Sequence, residues 1–163
     1  MADVVRHLTG LAGDVVGGNV ERYGSDAWTD TQIASRQEVE YEDVVTEWNG
    51  HVDALATILD DADGSELPTM IMAVVGLQPR KTFPVVILGD LLHHEFDLRN
   101  AIDNRADRDR PVVIGAGVGH TTALRALFKF MGLPTLRIVV DGAEIDVGPD
   151  APEATMHMTA FGR

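Results

Sequence analysis

Apolar residues recur at intervals of three and four through most of the chain, and at intervals of two after Pro134. A helical body followed by a small β element is what this change of period permits. From Ala2 to about Glu21, the residues Val4, Val5, Leu8, Leu11, Ala12, Val15 and Val16 make one helical face, with His7 beside it. Gly10, Gly13, Gly17 and Gly18 each weaken that helix by about 1 kcal/mol relative to alanine, so it needs packing at close approach to a neighbour. Tyr23 to Asp26 read as a turn, with Ser25 or Asp26 capping a short helix from Ala27 to Ala34. A long helix follows from Tyr41 to Leu59, with Val44, Val45, Trp48, Val52, Leu55, Ile58 and Leu59 on one face. Pro68 to Gly76 is apolar and reads as a short helix, broken by Pro79 and Pro84. Another long helix is expected from Phe83 to Ala101, with Pro84 in its first turn and Val85, Leu88, Leu91, Leu92 and Leu98 inward. A charged loop over 100–110 leads to a helix from Val118 to Met131, closed by Gly132 and Pro134. Leu136, Ile138 and Val140 then alternate, Asp141 and Gly142 signal a tight turn, and Ala143, Ile145 and Val147 alternate again. This is a β-hairpin, and Thr155 to Thr159 offer a third short strand.

The 163 residues, 45% hydrophobic and 24% charged, suit one domain spanning 1–163 with a sizeable core. Cysteine is absent, which excludes disulfides and any zinc–thiolate site. A metal here must be held by histidine, carboxylate, carbonyl or water. The net charge of -13 repels phosphate backbones, so nucleic acid is a poor partner, and a solvated acidic surface is its ordinary explanation. No run approaches eighteen apolar residues, and Met1 to Leu8 do not resemble a leader peptide. These features describe a soluble cytoplasmic protein without a membrane partner.

Asp90 and His94 are four residues apart on an expected helix, so their side chains share a face. Such a pair can share a divalent ion, or can simply be hydrogen-bonded so as to fix a histidine tautomer. A third ligand would have to come from another helix, and His7 is the best candidate because it sits at an apolar helix edge. Two imidazoles and a carboxylate suit zinc, with nickel, manganese and iron as alternatives. His93 points about 100 degrees away around the helix, and four residues before it Gly89 has no side chain to share an ion. His51 and His157 carry no partner spacing and read as surface or structural, and His120 reads as a capped surface histidine or as a polar residue lining the site. Trp28 and Trp48 read as packing anchors, as do Met70 and Met72.

Taken together, these segments resemble a known family. GDLLHHEFDLRNAI, from Gly89 to Ile102, is similar to the second metal motif of the DinB/YfiT-like superfamily, in the actinobacterial branch typified by the N-terminal domain of mycothiol-dependent maleylpyruvate isomerase. ADVVRHLTG, from Ala2 to Gly10, resembles that branch's first motif, and the similarity continues through GLPTLRIVVDG, from Gly132 to Gly142. The resemblance implies a mainly α helical bundle with a small C-terminal β-hairpin, and a metal held by His7, Asp90 and His94. It implies supporting roles for Asp97 and Arg99, whose ordinary alternative is a helix-surface ion pair. The family carries a helix before its first motif, which here begins at residue 2, so the bundle is expected to lack that helix or to borrow it from another chain.

The activity so implied is metal-dependent transfer or isomerisation linked to mycothiol, or hydrolysis, with Glu95 and Asp97 as candidate bases. The competing reading is a non-catalytic bundle, as a homodimer, that keeps the ligands as a vestige or a structural ion site. A third possibility arises from Pro111 to His120, where an apolar run leads to Gly115, Gly117 and Gly119 in imitation of a dinucleotide-binding turn. His120 stands where the third glycine of that fingerprint belongs. Too few alternating strands and helices surround it for a doubly wound sheet.

Overall fold

The computed structural model describes residues 1–61, 67, 68, 70–73, 76–103, 111, 115, 124, 125, 128, 129, 131–140, 142–148 and 150–158. It is mainly helical, with a small three-stranded sheet near the C-terminus. The chain divides into two compact units, Met1–Pro84 and Val85–Arg163.

In the first unit, α1 (Ala2–Val16) packs against both α2 (Asp26–Ala34) and α3 (Tyr41–Asp60). The expected helix to Glu21 is cut short at Val16 by its glycines. Gly18 takes φ +74 and donates to Val15 O at 3.1 Å, while Asn19 N reaches back to Asp14 O at 2.7 Å. Those two bonds satisfy carbonyls that the helix end would otherwise leave open. Ser25 caps α2, its hydroxyl accepting from Trp28 N at 3.3 Å. Leu11, Ala12, Val15 and Val20 are fully buried, as is Phe83, which Tyr23 meets edge-on with ring centroids 4.7 Å apart.

The segment expected as a short helix after Pro68 is instead an antiparallel pair, β1 (Met70–Ala73) with β2 (Gly76–Pro79). An apolar run this short has no periodicity to separate helix from strand, and Ile71 carries the branched Cβ that favours extended backbone. Pro79 closes β2 opposite Met70, at a strand end where a missing N–H is tolerated. A single 3₁₀ turn, Arg80–Thr82, leads into α4 (Phe83–Ala101).

α4 has the expected limits but a different inward face. Phe83, Val86, Ile87, Leu92 and Phe96 are its buried apolar residues, whereas Val85, Leu88, Leu91 and Leu98 are half-buried. Apolar side chains occur nearly all round the first three turns of this helix, so periodicity could not select one stripe. Most of the helix expected from Val118 to Met131 lies outside the described residues, as does His120; Leu124, Arg125, Phe128, Lys129 and Met131 are helical. Pro111 and Gly115, from the run that imitates a dinucleotide-binding strand and turn, are helical too.

The sheet has the order β4-β3-β5, with β3 (Leu136–Val140) central, β4 (Ala143–Val147) antiparallel to it and β5 (Ala154–Met158) parallel. Ile138, Val140, Ile145 and Val147 form its buried face, the alternating set expected from the sequence, packed by Leu124, Phe128 and Leu136. Thr135 fastens the connection to β5, taking Asp150 N on its hydroxyl and Glu153 N on its carbonyl, each at 2.9 Å. Gly148 adopts φ +133 there, where a Cβ would stand 2.3 Å from the Thr135 hydroxyl oxygen. No helix among the described residues is long and apolar enough to cross a membrane.

Candidate metal centre

His7 is 6% exposed on α1, and its Nδ1 lies 2.8 Å from Gln32 Oε1 on α2. Gln32, 3% exposed, donates from Nε2 to Asp14 Oδ2 at 2.7 Å. The Trp28 indole meets the imidazole edge-on at 6.4 Å and is itself tied by Nε1 to Asn19 O at 3.3 Å.

The approach of α2 to α1 depends on Gly10, one helical turn beyond His7. A Cβ at Gly10 would stand 2.5 Å from Gln32 Cβ and 2.7 Å from its Cγ, closer than real atoms come. The close packing expected from the glycines of this helix is thus present, and it brings Gln32 to His7. Arg36 secures the same corner, donating to Gln32 O at 3.1 Å and to Glu47 Oε2 of α3 at 3.0 Å. Arg6 in turn donates to Arg36 O at 3.0 Å and Gln37 O at 3.2 Å, covering carbonyls just beyond the end of α2. His51 stands 3.9 Å from Glu47, part of this helix-to-helix network.

Asp90 and His94 lie together on α4. His94 Nε2 is 3.5 Å from Asp90 Oδ1, and His94 Nδ1 is 3.2 Å from Asp97 Oδ2. Each imidazole nitrogen therefore faces a carboxylate, one turn back and one turn forward, as spacings of four and three require. The Asp97 side chain is 64% exposed and that of His94 24%. His93 turns away as expected, its Nδ1 donating to Gly89 O at 2.6 Å. Arg99 donates to Glu95 Oε1 at 2.8 Å. Asp97 and Arg99 each make a contact along α4, Asp97 with His94 and Arg99 with Glu95, the latter a helix-surface ion pair of the ordinary kind.

Two pKa departures lie on the sheet. Arg137 grips Asp146 through Nε at 2.7 Å and Nη2 at 2.9 Å, which holds the Asp146 carboxyl below the usual range and raises the guanidinium. Gln32 and Asp14 are the polar residues around His7 that sequence reading missed. Gly10 was the available signal, since it marked a close approach, but nothing in the chain said which side chain would arrive there.

Comparison with known proteins gave no match: no family model, no curated protein and no solved structure is detectably similar to this chain.

Proposed function

We propose that His7, Asp90 and His94 hold one divalent ion, zinc first among the candidates. On this reading the chain is a cytoplasmic metal-dependent enzyme of the DinB/YfiT type, acting on a small thiol such as mycothiol. The observation that carries the reading is the pairing of a carboxylate and an imidazole one turn apart on α4, with Asp90 Oδ1 facing His94 Nε2. Donors about 2.0–2.2 Å from a tetrahedral zinc stand roughly 3.4 Å apart. The Asp90 to His94 separation of 3.5 Å already has that span. Two imidazoles with one carboxylate form a set that leaves a coordination position for substrate; nickel, manganese and iron accept it as well.

An ion held there would make a bound thiol or water nucleophilic near neutral pH. Among the chain's own groups, Asp97 steadies the His94 ring through Nδ1 and Arg99 holds Glu95 in place. Both carboxylates act in this reading as supports rather than as bases.

Metal content tests the proposal. Tag-free protein, offered zinc, nickel or manganese in turn and dialysed, is expected to retain one ion per chain by elemental analysis. His7→Ala and His94→Ala should abolish retention, with affinity falling by roughly a hundredfold or more, and His51→Ala should leave it intact. Wild-type protein that retains no metal would instead support the non-catalytic bundle.

A further inference from the structure

We infer that Gln32 and Asp14 are positioning residues that hold the His7 imidazole in its Nδ1–H form and so reserve the lone pair for Nε2. The argument starts at Asp14. An ionised carboxylate only accepts hydrogen bonds, so the Gln32 amide atom 2.7 Å from Asp14 Oδ2 must be its NH₂ group. The Gln32 carbonyl oxygen is thereby directed at His7, 2.8 Å from Nδ1. A carbonyl cannot donate, so the proton between the two atoms belongs to Nδ1.

Neutral imidazole carries one N–H, and its other nitrogen must then be the acceptor. The choice is enforced by burial. Gln32 is 3% exposed and His7 6%, so the opposite tautomer would set two lone pairs against each other where water could not relieve them. Trp28 restrains the ring from the side, and Arg36 and Ser35, both donating to Gln32 O, restrain the backbone that carries the amide. Gly10 makes room for the Gln32 side chain. The relay Asp14–Gln32–His7 presets which nitrogen can bind a cation, without needing a cation to be present. Its consequence for metal affinity rests on His7 being a ligand, as proposed above.

Two readouts on the full-length chain separate the claims. Ring ¹⁵N shifts of the metal-free protein at about pH 8, above the ordinary imidazole range, report the tautomer, with the His7 signals assigned by their loss in His7→Gln. The expected result is Nδ1–H in the wild type, and a shift toward the Nε2–H form in Gln32→Met, which removes the acceptor. Asp14→Asn should give the same shift in weaker form, since an asparagine no longer dictates the direction of the glutamine amide; it also serves if Gln32→Met fails to fold. Zinc affinity should fall by about 10–100-fold in Gln32→Met and less in Asp14→Asn.

A wild-type His7 in the Nε2–H form, or an unchanged tautomer in both variants, would overturn the relay. An altered tautomer with unchanged zinc affinity would overturn its role toward the metal. A wild-type protein with the expected tautomer but no bound zinc would sink the metal reading while leaving the relay standing.

Discussion

The two histidines of the candidate centre are held in opposite ways. His94 is anchored by its own helix, with Asp97 one turn forward and Asp90 one turn back, and its anchor Asp97 is largely exposed. His7 is anchored across helices, by a glutamine 25 residues away that is almost wholly buried and is itself oriented by Asp14. Local spacing produces the first arrangement wherever α4 forms. The second requires α1 and α2 to meet at Gly10, so it exists only in the packed fold. Burial also changes the energetics, because water competes for Asp97 but not for Gln32.

The comparison breaks most sharply at Gly10. Gly10→Ala raises helix propensity by about 1 kcal/mol, yet its Cβ would collide with the Gln32 side chain. Overpacking of this kind costs about 1–3 kcal/mol and should dominate, lowering the urea midpoint and loosening the His7 contact together. Gly50→Ala on α3, where a Cβ would have nothing within 4 Å, is the control; it should stabilise by roughly 0.4–1 kcal/mol. A Gly10→Ala protein at least as stable as the wild type would mean that α1 and α2 do not approach as described.

A smaller effect is expected at the exposed anchor. Asp97→Asn still offers an acceptor to His94 and replaces a solvent-screened charge, so zinc affinity should fall by less than about tenfold, a free-energy change under about 1.4 kcal/mol. Titrations of Asp97→Asn and Gln32→Met side by side would reverse the comparison if the exposed anchor proved the more important.

The smallest effect belongs to the Arg137 and Asp146 pair on the sheet, which is well formed but open to solvent. Because folding lowers the Asp146 pKa, the pair's contribution is present above the usual aspartate range and is lost as pH falls below about 4. Asp146→Asn should therefore flatten the acid side of the melting-temperature profile slightly and leave neutral pH nearly unchanged. A large loss at neutral pH would show that the residue does more than pair with Arg137.

Much of this architecture is legible in the order of residues. The limits of α2, α3 and α4 follow from apolar spacing and caps within about a residue, and the hairpin follows from alternation around Asp141 and Gly142. The third strand was legible too, but not that β5 would lie parallel to β3 on its free side, because a strand's sequence does not name its partner. The run after Pro68 is too short for its period to separate helix from strand, and several apolar stripes on α4 compete for its inward face.

What the sequence determined by itself was therefore local: which stretches are helical, where β structure begins, and that Asp90, His94 and Asp97 share one side of α4. Those outcomes depend on the 3.6- and 2-residue periods of the backbone, which every segment carries within itself. The anchoring of His7 by Gln32, and of Gln32 by Asp14, was decided only by tertiary structure. It depends on two helices approaching across a glycine, and on burial that keeps water from competing for the bonds between them.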